Sequence, residues 1–374
     1  MINPNARPPV GEDLAGQGIG ATVDGPAPAR SAGARRRLAL SLPAVNRFGG
    51  VYVLLAMIVV FSILSPSTFP HVATIAQVLD VNSVSAMAAL ILVVPLAAGV
   101  FDVSVPYTMT LSGVVAAYAI VDSHLSIVLA ILIAVGVSLL VGLVNGLVII
   151  VGKVDSLIAT IATGFLIQAL VQWRTGGLIL SGTQLDTGAF SGIAYHPLFS
   201  TIDVPVLYVA VLATALWYLL QHTATGRRIY ATGFKREAAR LASVRTDRLR
   251  LGCLILSSFL AGLTGVVLAA NLGSGSPTGG NNYLLAMFAG VFLGETQLRP
   301  GRFNAWGTVL AILILGVLTT GLSLAGVPLW GQQLSDGVVL VVALILHARG
   351  RASIGSSPQG RRRPRKEQST TAAE

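Results

Sequence analysis

Few side chains in this 374-residue chain are placed to do chemistry. The five histidines, His71, His124, His196, His222 and His347, show no metal-ligand spacing, and no phosphate-binding P-loop is present. No catalytic or metal-ligating set is therefore expected, and no cofactor in this chain. If ATP drives the protein, a partner subunit binds it. The single cysteine, Cys253, excludes a disulfide framework. What remains is a handful of polar groups set in apolar sequence. Asp102 sits at a break between two short apolar stretches, with Ser104 two residues on. A charge at the centre of a bilayer costs roughly 2.5–3.5 kcal/mol on insertion scales, so it is retained for a reason. Either the Asp102 carboxylate accepts backbone N–H groups, together with Ser104, at a half-helix start, or it faces a solute path. Asn145, Gln168 and Gln172 bind solute hydroxyls or hold helices together. Asp102, Ser104, Asn145 and Gln168 are the candidates for lining a path. Asp336, near the start of the last apolar segment, is within reach of outer water.

The elements that position these groups are membrane helices. The chain is 53% hydrophobic and 11% charged, against roughly 25% charged in a soluble domain. Apolar runs of about 20 residues span a bilayer. Ten apolar segments are legible, near 49–65, 84–100, 106–121, 125–151, 156–173, 203–221, 249–271, 283–295, 305–325 and 330–347. Those around 84–121 and 283–325 are interrupted by polar or Pro/Gly stretches, the pattern of half-helices meeting inside a membrane. The expected fold is an all-α integral membrane protein: a polytopic bundle of about ten transmembrane segments, some short or discontinuous, with both termini cytoplasmic. Arg35 to Ser65 reads as a first membrane helix rather than a cleaved signal peptide, because no small-residue cleavage site follows it. Residues 1–45 and 351–374 read as disordered basic cytoplasmic tails around a membrane domain over 46–350.

A net charge of +10 could suggest nucleic acid, but the basic residues fall in blocks between apolar runs. With the N-terminus inside and strict alternation, 24 of the 25 Lys and Arg residues are cytoplasmic, and Arg174 alone is not. The outer stretches 66–83, 174–202 and 272–282 are Ser-, Thr-, Gly- and Asn-containing loops, either ordinary loops or a docking surface. The tetrapeptide Ala98-Gly99-Val100-Phe101 recurs as Ala289-Gly290-Val291-Phe292, a weak sign of internal duplication.

The longest polar interruption is 222–250, with eight basic residues. Lys235 to Val244 can form a short helix, since Ala238, Ala239, Leu241 and Ala242 are good helix formers. Small side chains would let it seat in a groove, with Arg236, Glu237 and Arg240 at the rim. An amphipathic helix lying on anionic headgroups is the competing reading.

Tyr230-Ala-Thr-Gly233, followed by Arg236-Glu237-Ala238-Ala239-Arg240-Leu241, resembles the cytoplasmic loop of bacterial ribose- and xylose-type sugar permeases, the membrane subunits of ABC importers. In that family the loop is the coupling helix that docks on the ATPase, so Lys235 to Leu241 would be the ATPase contact. The family usually follows it with Ser-Gly-Ile, where this chain has Ala242-Ser243-Val244. Gly99 to Val105 resembles the signature G-x-x-D-L-S-V-G, with Pro106 in place of the last Gly. Gly142 to Gly146 resembles a helix ending in Asn-Gly, and Ser257 to Pro277 an S-x-x-L-A-x-L-A-G stretch with its following loop. Gly294 to Gly301 resembles a loop usually reading G-G-T-S-L-x-G-G. Gly316 to Gln333 resembles the last signature, with Thr320 for Asn. The resemblance spans roughly residues 50–347. It implies a permease of the cytoplasmic (inner) membrane. A second permease subunit, identical or similar, an ABC ATPase and an extracytoplasmic solute-binding protein would be its partners, and a monosaccharide or polyol its solute. An ion-coupled secondary transporter is the alternative, for which Asp102 is the one reasonable coupling group. An intramembrane enzyme lacks any acid–base constellation.

Overall fold

The computed structural model describes residues 43–197 and 201–355. Most of both basic tails lies outside the described residues. All ten apolar segments are helical. In chain order the helices are α1 (Pro43–Leu64), α2 (Val72–Ala97), α3 (Val105–Val121), α4 (Ile127–Ile150), α5 (Ser156–Thr175), the single turn α6 (Thr183–Asp186), α7 (Val204–His222), α8 (Ala224–Phe234), α9 (Arg236–Leu241), α10 (Thr246–Leu272), α11 (Leu284–Thr296), α12 (Ala305–Leu324) and α13 (Leu329–Gly355). Seven of them, α2, α4, α5, α7, α10, α12 and α13, are long and apolar enough to cross a membrane. The apolar parts of α1 and α3 are shorter. The 13 residues of α11 reach only about 20 Å at 1.5 Å per residue.

Local chemistry explains several boundaries. Asp155 caps α5 by accepting from Leu157 and Ile158 N–H, and Gly176 closes that helix at φ 62°. Asn304 caps α12 through Gly307 N–H and donates to the carbonyls of Gly294, Gln297 and Arg302. Helix α2 ends where Val100 N–H reaches back to the Pro95 carbonyl and Gly99 N–H to Leu96, with Gly99 left-handed at φ 71°.

The inner helices are α2 and α10. Residues Leu90 to Val94 of α2 have no exposed surface on any face, as expected of a helix apolar all round. Helix α10 packs on α3 and α4 through small residues. A Cβ on Gly265 would meet the Met109 carbonyl oxygen at 2.2 Å, and one on Gly262 would meet Ser138 at 2.8 Å. Lipid tails offer no hydrophobic gain for helix association, so such close approach supplies it by packing. Large apolar side chains on α1, α4, α5, α7 and α13 stay exposed.

Three expectations are corrected. The outer stretch 66–83 is largely helix, because α2 begins at Val72. Gln77, Asp80, Asn82 and Ser83 hide its first turns from an apolar count, and the Asp80 carboxylate accepts Asp203 N–H at 3.0 Å. Asn145 and Gly146 lie inside α4, which runs on to Ile150, rather than at its end. The two Ala-Gly-Val-Phe copies are not equivalent: the first forms the break after α2, and the second is buried within α11.

The outer loops are joined. Strand β1 (Leu180–Ser181) pairs antiparallel with β2 (Ser274–Gly275), Leu180 opposite Gly275. Leu185 and Phe190 are fully buried beside Ala116, Ala134 and Ala270. Arg174 lies 4.1 Å from the centre of the Tyr118 ring, a cation–π contact.

Candidate functional site

Two polar features stand out from the apolar bundle. The first is the break between α2 and α3, residues 98–104. Asp102 is fully buried. One carboxylate oxygen accepts Ser104 N–H at 3.2 Å and Ser104 Oγ–H at 2.6 Å, and the other accepts Ser257 Oγ–H of α10 at 2.7 Å. Asn145 of α4 donates Nδ2–H to Ser104 Oγ at 2.8 Å. Helix α5 serves the rest of the break: Ser156 Oγ accepts Phe101 N–H and Thr160 Oγ1 accepts Val103 N–H. An unpaired backbone N–H in an apolar medium is expensive, and here side chains from neighbouring helices satisfy the extended segment. Asp102, Ser104 and Asn145 thus form one buried cluster, as the first of the two readings of Asp102 requires. Gln168 stands apart from them. Its Nε2–H donates to the Pro277 carbonyl and its Oε1 accepts from Asn281, tying α5 to the loop before α11. It remains half-buried, whereas Gln172 is exposed.

The second feature is the polar connection from α7 to α10. It contains two helices, not one. Helix α8 was not legible, because Thr225, Gly226, Thr232 and Gly233 are poor helix formers. Tertiary seating overrides propensity there: Gly226 fits against the Leu219 and Leu220 carbonyls, and Ile229 and Thr232 are buried. Tyr230 donates its hydroxyl to the Phe303 carbonyl, and Arg302 lies over its ring. Burial pushes the Tyr230 phenol up to about 12, which keeps it a donor near neutral pH. Phe303 in turn packs on His347 of α13, which pairs with Glu295 of α11. That pair was not anticipated. Its Glu stands in the loop stretch where the resembled permeases usually carry Gly.

Helix α9 spans Arg236–Leu241, and Lys235 is an extended joint before it. Ala239 corrects the sequence expectation. It is only 5% exposed, turned into the protein, and so belongs to no docking face. Arg236, Glu237, Ala238, Arg240, Leu241 and Ala242 are exposed. Leu241 is 89% exposed and Phe234, just before α9, 72%. Arg236 is already paired, with Asp247 at 2.6 Å. After α9, Val244 N–H bonds to the Ala239 carbonyl and Ser243 N–H to Arg240. Ser243 is left-handed at φ 63°, the position where the resembled loop carries Gly.

Comparison with known proteins agrees with this arrangement. Residues 74–346 match the family described as the branched-chain amino acid transport system / permease component. The ribose import permease protein RbsC of Escherichia coli K12 is 31% identical over 298 residues, 78% of this chain and 91% of that protein. RbsC of Bacillus subtilis is 32% identical over 303 residues, covering 81% and 92%. The L-arabinose ABC transporter permease protein AraH of Azospirillum brasilense is 31% identical over 324 residues, covering 85% and 91%. No solved structure matches significantly. The chain belongs to this permease family, and its relatives there are the sugar-import permeases that its cytoplasmic loop resembles.

Proposed function

We propose that the chain is the membrane-spanning subunit of a bacterial importer for a monosaccharide or related polyol, driven by a separate ABC ATPase. The single observation that carries this is helix α9: a short helix, outside the apolar bundle, presenting Leu241 and Phe234 almost bare. Solvated apolar side chains bracketing a charged helix are suited to a protein partner. The sequence around them is also the part most similar to sugar permeases. Ten crossings with both termini cytoplasmic fit the charge bias and place α8 and α9 inside the cell, the membrane being the cytoplasmic (inner) one. The joined outer loops then form the face for a solute-binding protein. A second permease subunit, identical or similar, completes the solute path. Of the four path candidates, Gln168 keeps partial exposure and is placed on the path. The buried Asp102, Ser104 and Asn145 stand behind it and hold its walls. ATP binding closes the ATPase pair and pushes α9. The permease contributes alternative helix packings rather than chemistry.

Co-purification tests this reading. The wild-type chain should retain the ATPase encoded beside it. Leu241→Asp should reach the membrane at normal abundance and lose the ATPase. An undiminished complex with Leu241→Asp would contradict the docking role of α9.

A further inference from the structure

The polar connection and the buried break touch backbone to backbone. Gly233 is the penultimate residue of α8. A Cβ there would stand 2.2 Å from the Ala97 carbonyl oxygen and 2.9 Å from the Gly99 amide nitrogen. A Cβ on Gly99 would stand 3.1 Å from Gly233 Cα. The end of α8 therefore seats directly on the turn that closes α2, with no side chain to cushion it. Three residues beyond Gly99 comes Asp102, bonded to Ser104 at the start of α3 and to Ser257 in the middle of α10. Phe101 and Val103 are bonded to α5. The break's polar groups are thus committed to three helices. It cannot shift alone without leaving buried donors unpaired, a loss of hydrogen bonds that an apolar surrounding does not replace.

Helix α8 has the attachments of a lever. Its first turn is fixed at Gly226, its middle is bonded through Tyr230 to Phe303, and its end rests on the break. Beyond that end, Lys235 is extended and leads straight into α9. Close-packed interiors pass displacement on rather than absorbing it.

We propose that Gly233, seated on Gly99, is the point where movement of α9 is passed to the Asp102 break, and through it to α3, α5 and α10. This rests on the reading that an ATPase works on the loop. Gly233 is a positioning residue: it touches no solute and needs only the absence of a side chain.

Hydrogen exchange on the unmodified complex tests this, using the full chain with its ATPase in lipid, with and without a non-hydrolysable ATP analogue. Exchange rates in 224–241 and in 97–104 should change together, each by threefold or more. A change in 224–241 with none in 97–104 would overturn the inference. No change in either would show that the ATPase does not act through the loop, and the underlying reading would fall with it. The variant Gly233→Ala supplies a second readout. ATP hydrolysis by the complex should persist while solute uptake falls at least tenfold. Uptake within twofold of wild type would overturn the assignment. If Gly233→Ala fails to accumulate, the exchange experiment on the wild-type chain decides.

Discussion

Gly99 and Gly233 meet with nothing between their backbones, a Cβ on the first standing 3.1 Å from the Cα of the second. Gly99 carries a further demand, because its φ of 71° is left-handed. Gly99→Ala should therefore cost backbone strain, about 1–2 kcal/mol, plus the displacement of α8. Gly176 separates the two effects: it is left-handed at φ 62° with open space around its Cβ position. Thermal unfolding in detergent should show Gly99→Ala losing more stability than Gly176→Ala. Equal losses would mean that contact with Gly233 contributes nothing.

Asp102→Asn keeps the side-chain shape and turns one acceptor oxygen into a donor. That amide then faces Ser hydroxyls that already donate to the carboxylate. The mismatch should cost roughly 1–3 kcal/mol and reduce uptake. A double-mutant cycle with Ser257→Ala should show coupling, since the two groups are bonded at 2.7 Å. Full uptake and unchanged stability for Asp102→Asn would make the charge dispensable.

Ser243→Gly should stabilise the loop. The left-handed turn after α9 holds a Cβ-bearing residue at φ 63°, and glycine takes that conformation without the steric penalty. The expected gain is about 1 kcal/mol, read as a higher unfolding midpoint. A lower midpoint would mean that the Ser243 side chain contributes more than its strain costs.

Ala239→Glu should act differently from Leu241→Asp. Ala239 is buried, so a carboxylate there must be desolvated or the helix displaced. The expected outcome is local disorder of α9, seen as faster proteolysis between residues 234 and 246, in the absence of any ATPase. Leu241→Asp should leave that proteolysis unchanged. Identical proteolysis of wild type and Ala239→Glu would mean that α9 is not seated through Ala239.

Much of this was legible in sequence, and for a physical reason. Apolar length and basic blocks are local properties, so the ten segments and the polar loop could be read directly. Asp102 with Ser104 was legible because a carboxylate at a helix start has few other uses. Ser257, Ser156 and Thr160 were not, since each is an ordinary helix residue until folding brings it to the break. Helix α8 was hidden because its stability comes from seating Gly226 and Gly233 against other backbones, which no propensity records. Ala239 was misread for the same reason. A small side chain suits a partner's groove and the protein's own interior equally, and only packing shows which.

Uptake in proteoliposomes tests the central claim most directly. The chain is reconstituted with its adjacent ATPase and binding protein, and radiolabelled ribose, arabinose and fructose are offered in turn. The account predicts accumulation of a monosaccharide or related polyol only when ATP, ATPase and binding protein are all present, with no response to an imposed proton or sodium gradient. Accumulation by the chain alone, driven by such a gradient without ATP, would contradict it.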